Sequence, residues 1–274
     1  MPELPEVETV VRGLRDTIIG QTIARVSSDW DNSCPNSDQS VADYLIGATI
    51  ERISRRGKII RIDLDSGWAL LVHLKMTGQL VYDLDRFPDS TTRVILTFDD
   101  QTKLYFNDQR KFGWMRLIDQ ALISSFDGIQ RLGPEPLSDR FTWEVLRERA
   151  VRHARSSIKA TLLNQTVLAG MGNIYTDEAL FLAKVHPARL TGSLSEAEFR
   201  RIHQSIRQVL QHSIDLGGSS RQNYLMVDGS KGDYLDEPYV YGRQGQPCRV
   251  CGSRLEKSRV AQRGTHTCPR CQPL

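Results

Sequence analysis

Residues 248–271 read Cys-Arg-Val-Cys-Gly-Ser-Arg-Leu-Glu-Lys-Ser-Arg-Val-Ala-Gln-Arg-Gly-Thr-His-Thr-Cys-Pro-Arg-Cys. Four cysteines fall in two Cys-x2-Cys pairs, Cys248/Cys251 and Cys268/Cys271, with 16 residues between the pairs. Gly252 follows the first pair and Pro269 lies inside the second, so each pair occupies a tight turn. Two such turns place four thiolates around one tetrahedral ion. Zn²⁺ fits best, being redox-inert and thiophilic. The alternatives are two disulfides or four unrelated thiols. The chain starts without a basic-then-apolar export segment, which argues against disulfides. Cys34, the fifth, reads as a small residue in a polar loop. The tail's large apolar side chains are essentially Val250, Leu255, Val260 and Leu274. A hairpin with so little to bury needs its metal, one structural Zn²⁺, to fold.

Outward from this segment, charge is the next signal. From Arg243 to the C-terminus seven residues are basic and only Glu256 is acidic, so the tail carries +6 and the preceding 242 residues −3. Further basic knots lie at Arg52, Arg55, Arg56 and Lys58, and at Arg147, Arg149, Arg152, Arg155 and Lys159. Separate basic patches on a near-neutral chain point to a polyanion partner, with solvated surface as the bland alternative. At 274 residues, 25% charged and 39% hydrophobic, the chain suits two globular domains of ordinary size, or one large one, rather than disorder. Its best apolar run, Trp68–Leu74, is far short of the roughly 20 residues of a membrane span. A cytoplasmic protein with no membrane partner is expected.

The rest of the chain divides by periodicity. Leu4, Val7, Val10, Val11 and Leu14 recur at helical spacing, which predicts a short helix over residues 2–14 with Pro5 in its first turn. Strands are expected at Ile18–Trp30, Ala48–Ser54, Ile59–Leu64, Ala69–His73, Arg93–Phe98 and Lys103–Phe106, with turns at Asp65-Ser66-Gly67 and Asp99-Asp100-Gln101. Many short strands in succession suggest an antiparallel sandwich. Arg131–Phe141, with Pro134 and Pro136, reads as a linker. Helices follow at Trp143–Val151, Ile158–Asn164, about Ile174–Ala183, and Ser195–Leu216. The polar segment Ser219–Asp236 then precedes the cysteine hairpin.

The N-terminus offers chemistry of its own. Removal of Met1 exposes Pro2 as a secondary amine, and terminal amines have pKa values near 8. Such an amine attacks an aldehydic sugar carbon to form an iminium, with Glu3 beside it as acid or base. Composition alone gives this little weight.

Seven blocks change that weight. They are Pro2-Glu3-Leu4-Pro5-Glu6-Val7-Glu8, Arg56-Gly57-Lys58, His73-Leu74-Lys75-Met76-Thr77-Gly78, Asp108-Gln109-Arg110-Lys111-Phe112-Gly113, Leu132-Gly133-Pro134-Glu135-Pro136-Leu137, Gly172-Asn173-Ile174-Tyr175-x-x-Glu178, and Tyr241-Gly242-Arg243 running into the cysteine hairpin. In this order, over nearly the whole chain, they resemble the formamidopyrimidine-DNA glycosylase family. Endonuclease VIII-type enzymes also begin Pro-Glu but usually continue differently.

The resemblance implies an α+β fold of two domains: an N-terminal antiparallel β-sandwich with flanking helices (1–130), and after the linker (131–141) a C-terminal helix–two-turns–helix domain with a lesion-recognition loop (142–236) and a zinc-finger hairpin (237–274). It implies duplex DNA with oxidised bases or abasic sites as partner, bound by a monomer in a cleft between the domains. The implied reaction is excision of oxidised purines followed by strand nicking. Pro2 is then the nucleophile on C1′, Glu3 the acid–base group and Lys58 a phosphate contact that assists proton transfer. Met76, Arg110 and Phe112 fill the void left by an everted base, with Arg110 facing the orphaned cytosine. Asn173, Lys159, Arg155 and Arg263 hold phosphate, Arg263 being counted also with the catalytic set. Two features depart from the family. Thr91 and Thr92 stand where relatives often carry histidine, with Arg93 a possible substitute. The loop Ser219–Tyr234 matches only in part, leaving open which of Ser219, Ser220, Arg221 or Tyr224 meets the lesion. The remaining alternatives are a glycosylase for oxidised pyrimidines and a zinc-dependent protein that binds damage without cutting.

Overall fold

The computed structural model describes residues 1–29, 44–85, 87–219 and 224–274. Cys34, Ser220, Arg221 and the Trp30 end of the first expected strand lie outside the described residues. Two compact units are present: Met1–Gln130 with Leu216–Asp233, and Arg131–Asp215 with Tyr234–Leu274.

The first unit opens with helix α1 (Leu4–Ile18), which buries Leu4, Val7, Val10, Val11, Leu14 and Ile18. The helix ends about a turn later than expected because the apolar stripe continues to Ile18. Gly20, at φ +84°, then stops it. Consequently the first strand, β1 (Ile23–Ser28), starts five residues later than the expected Ile18. Seven strands follow: β2 (Ile50–Arg56), β3 (Ile59–Leu64), β4 (Trp68–His73), β5 (Gly78–Tyr82), β6 (Thr92–Phe98), β7 (Lys103–Asp108) and β8 (Trp114–Asp119). They form two four-stranded antiparallel sheets, β2-β3-β4-β8 and β1-β6-β7-β5. Val10, Ile53, Leu70, Val94 and Phe106 belong to one shared core, so the sheets face each other with α1 against them. Strands β5 and β8 were not anticipated. Both are short, and each is completed by a distant partner, β5 by β7 and β8 by β4. A short helix, α2 (Asp127–Gln130), ends this part of the chain.

Both expected turns are present, with Gly67 at φ +81° and Gln101 at φ +71°. Leu216–Asp233, read from its place in the chain as part of the helical domain, packs with the sandwich instead. Tyr82 N donates to Val227 O at 2.9 Å, and Val227 lies so close to Gly13 that a Cβ there would come within 3.0 Å of it.

The second unit contains helices α3 (Trp143–Val151), α4 (Ile158–Leu163), α5 (Asn173–Leu182) and α6 (Glu196–Asp215). Thr142 and Ser157 cap the first two through their hydroxyls. Ser195 and Glu198 make a reciprocal capping box at the start of α6. Residues 131–141 are packed rather than free. Gly133 N bonds Gln165 O, and Arg207 donates to the carbonyls of Pro136 and Ser138. The chain closes with the antiparallel hairpin β9 (Glu256–Val260) and β10 (Arg263–Thr267). Its two-residue connection, Ala261-Gln262, has both φ values positive, +48° and +59°, as a type I′ turn requires.

Candidate active site and nucleic-acid interface

Pro2 and Glu3 are both buried at the start of α1, and Met1 is half exposed. Glu6 anchors this end of the helix. Its carboxylate accepts from Glu3 N at 2.7 Å, and from Ser219 N and Oγ at 2.7 and 2.8 Å. Tyr224 Oη donates to Glu6 O at 3.2 Å. Two of the four candidate lesion-loop residues therefore meet α1 one turn from Pro2. Lys58, also buried, occupies the two-residue link Gly57-Lys58 between β2 and β3, with Gly57 at φ +57°. A rigid hairpin thus carries it. His73 ends β4, and its Nδ1 accepts from Lys75 N at 2.9 Å. Burial, then the charges of Lys75 and Lys58, hold its pKa down to about 3, so the ring is neutral at neutral pH with its proton on Nε2.

Met76 and Phe112 are 40% and 56% exposed, unusual for large apolar side chains. Met76 precedes β5, and Phe112 lies in the loop between β7 and β8. The Arg110 guanidinium lies 5.1 Å over the Phe112 ring. Thr77 Oγ1 and Asp108 Oδ1 join the two segments, both accepting from Arg110 N. The three expected void-filling residues are therefore presented outward from two segments held together.

In the second unit the basic knots are largely spent on the protein itself. Arg147 pairs with Glu196, Arg152 with Glu148, and Arg149 donates to Thr166 O. In the first unit Arg52 pairs with Asp63 and Arg55 with Glu8. Arg155 is exposed and has no partner among the described residues. The hairpin differs: Arg254, Lys257, Arg259, Arg263 and Arg270 are all exposed, and their side chains have no hydrogen-bond or ion-pair partner among the described residues.

Lys159 corrects the sequence reading. Expected to meet phosphate, it is 0% exposed. Its ammonium donates to Asp177 Oδ1 at 2.6 Å, Gly264 O at 3.0 Å and Thr265 Oγ1 at 2.9 Å. Asp177 Oδ2 in turn accepts from His266 N at 2.9 Å. A lysine so buried needs a counter-charge and full hydrogen bonding, and Asp177 with the hairpin supplies both. Asn173 is the first residue of α5, directly after the N-cap Gly172. Its Nδ2 donates to the same Gly264 O at 3.0 Å. Arg93 is likewise no substitute for a surface histidine. It is buried, and its guanidinium is committed to Asp108 O, Asp29 and Ser90 O.

The four cysteines converge. Their Sγ atoms all lie within 4.8 Å of one another, with Cys248–Cys271 at 3.9 Å and Cys251–Cys268 at 3.4 Å. Zinc–sulfur bonds of about 2.3 Å give a tetrahedron with edges of about 3.8 Å, which these spacings fit. They are far too long for the roughly 2.05 Å of a disulfide. Val250 N and Cys271 N each donate to a cysteine Sγ at 3.4 Å, the support a metal-bound thiolate needs.

Sequence reasoning assigned no role to Thr77, Asp108, Asp177 or Glu178. Glu178 is fully buried on α5 and accepts from the backbone amides of Tyr239, Val240 and Tyr241 at 2.7–2.8 Å. Burial pushes its carboxyl pKa up, against the pull of those amides. It fixes the segment leading into the hairpin.

Three family patterns match the chain: the formamidopyrimidine-DNA glycosylase N-terminal domain over residues 1–115, the H2TH domain of the same family over 132–224, and a zinc finger found in FPG and IleRS over 245–274. A formamidopyrimidine-DNA glycosylase of Herpetosiphon aurantiacus is 44% identical, over 99% of this chain and 100% of the relative. A Lactococcus lactis FPG mutant, solved with Fapy-dG-containing DNA, superposes with a TM-score of 0.93 at 38% identity, covering 100% of both chains. The wild-type Lactococcus lactis protein, solved with DNA containing an oxidised pyrimidine, gives 0.92 at 38% identity and the same coverage. With the zinc-fitting hairpin, the antiparallel sandwich and matches along nearly its whole length, the chain belongs to the formamidopyrimidine-DNA glycosylase family.

Proposed function

We propose that this protein is a monomeric DNA glycosylase and abasic-site lyase of base excision repair, acting on oxidised purines such as 8-oxoguanine and formamidopyrimidines in duplex DNA. The observation that carries the proposal is the pairing, within one unit, of Pro2-Glu3 at the anchored start of α1 with the exposed wedge Met76, Arg110 and Phe112. A base must leave the stack before its C1′ can be reached, and the wedge fills the gap it leaves. Acting on chromosomal duplex, the enzyme works in the cytoplasm at the nucleoid. No helix of the described residues is long and apolar enough to cross a membrane.

With Met1 removed, the Pro2 nitrogen attacks C1′ as the glycosidic bond breaks, and the base departs with a proton. Glu3 is the acid–base group at the deoxyribose. The C1′–O4′ bond then opens as O4′ takes a proton, and the resulting iminium acidifies the C2′ proton, whose loss expels the 3′ phosphate. A second elimination expels the 5′ phosphate, and water then releases Pro2. Lys58 contacts phosphate and assists proton transfer. Arg263, Arg155 and Asn173 contact phosphate from the second unit, a reading supported by the exposure of Arg263 and Arg155. Bound zinc supplies shape to the hairpin and takes no part in the chemistry.

The test is excision from duplexes carrying 8-oxoguanine, formamidopyrimidine or an oxidised pyrimidine, with borohydride trapping. The purine lesions are expected to be preferred, and the trapped adduct to map to Pro2. An uncleaved extension ahead of Pro2 makes its nitrogen a tertiary amide and is expected to abolish trapping and nicking. Wild-type trapping by the blocked protein would sink the assignment, with Lys58 the next nucleophile to examine. Preference for pyrimidines would move the substrate class, and binding without cutting would remove the enzyme.

A further inference from the structure

We infer that Asp108 and Thr77 are positioning residues that lock the void-filling wedge in its working shape before DNA arrives. The inference rests on the base eversion proposed above. It starts from topology. Gly78 at the head of β5 pairs with Asp108 at the tail of β7. The turn carrying Met76 and the loop carrying Arg110 and Phe112 therefore leave the same end of the same strand pair.

Asp108 is a carboxylate with 0% exposure and, among the described residues, no cationic side chain bonded to it. Its acceptors are all directed at these two segments. The Thr77 hydroxyl donates to Oδ1, Arg110 N donates to Oδ1 at 3.2 Å, and Gly113 N donates to Oδ2 at 2.6 Å. Arg110 N also donates to Thr77 Oγ1 at 3.0 Å, which closes a ring between the segments. The backbone around this ring admits little variation. Lys111 sits at φ +57°. A Cβ at Gly113 would come within 2.7 Å of the Phe106 ring, and one at Gly78 within 2.4 Å of Leu74 O. The ring of bonds holds loop backbone while the side chains it carries stay exposed. A wedge ordered in advance loses no further conformational freedom when it enters the stack.

The hydroxyl of Thr77 is the cleanest handle, because Thr77→Val is nearly isosteric and Thr77→Ser keeps the donor. In the full-length zinc-loaded protein, Thr77→Val is expected to slow excision of 8-oxoguanine from duplex about tenfold, the effect of one charge-assisted hydrogen bond. Cleavage of a preformed abasic site in the same duplex is expected to fall by no more than about twofold, since no base is extruded. Thr77→Ser restores excision, and Asp108→Asn reproduces the selective loss. In a Met76→Ala/Phe112→Ala background Thr77→Val should change nothing further, a coupling that general destabilisation does not produce. Equal losses on both substrates, or an undiminished loss in the wedge-free background, overturns the inference. A wild-type protein that neither excises nor cuts overturns the underlying function, whereas an active wild type matched by Thr77→Val overturns only the positioning role.

Discussion

Replacing Lys159 by methionine removes one charge from a site with no solvent in it. Lys159 and Asp177 are both 0% exposed, and the ammonium has one acceptor for each of its three protons. Lys159→Met keeps most of the side-chain volume and leaves the Asp177 carboxylate buried with Oδ1 uncompensated. Breaking a buried pair in this way costs about 3–5 kcal/mol. Against a total stability of about 5–15 kcal/mol, this is a large fraction. At several degrees per kcal/mol, melting of the second unit should fall by about 10 °C or more. The loss is local at first, because Gly264 and Thr265 at the start of β10 lose their hold on α4. Amides at residues 264–267 should exchange faster than those of α6, and affinity for a duplex with an abasic-site analogue should drop with that of Arg263→Ala. Thermal unfolding by circular dichroism, zinc content, hydrogen exchange and a salt series on DNA binding measure these effects. Unchanged melting and unchanged exchange at the hairpin would refute the reasoning. So would a loss of salt slope of about one phosphate contact without any destabilisation, since that is the signature of a lysine on DNA.

Cys248→Ser or strong chelation should unfold the hairpin and abolish DNA binding while the sandwich stays folded, because among the described residues the buried local core there, apart from two of its cysteines, is Phe181, Val240 and Leu255, with Leu182 and Tyr239 partly buried against it. Full binding by zinc-free protein would contradict this. Met76→Ala should impair excision from duplex far more than cleavage of a preformed abasic site, the wedge being worth roughly a few kcal/mol of lost stacking; parallel losses on the two substrates would count against a wedge. His73 is held neutral down to about pH 3 in the fold but titrates near 6.5 when unfolded, so the unfolded chain binds the extra proton between those values. Stability from this group is complete above about 6.5 and declines as pH falls toward 3, and His73→Gln should flatten that part of the pH–stability curve.

Local pattern was enough for the features that depend on neighbours in the chain. The spacing of Cys248, Cys251, Cys268 and Cys271 implied a tetrahedral site because two short turns suffice to build it, and the apolar stripe of α1 announced a buried helix. The ordered motifs, through family resemblance, carried the sandwich, the helical domain and the candidate residues Pro2, Glu3, Lys58, Met76, Arg110 and Phe112. What escaped were the groups whose partners come from far along the chain. Asp108 reads as one acid among 33, yet its carboxylate organises two loops through Thr77 and backbone amides. Glu178 meets amides about sixty residues away, and amides leave no mark in a sequence. Lys159 sits in a basic run and looks like surface; only tertiary structure brings Asp177, Gly264 and Thr265 around it. Whether a charge faces solvent or lies in the core is decided by which counter-charges and carbonyls the fold delivers, and that depends on packing between segments remote in the chain.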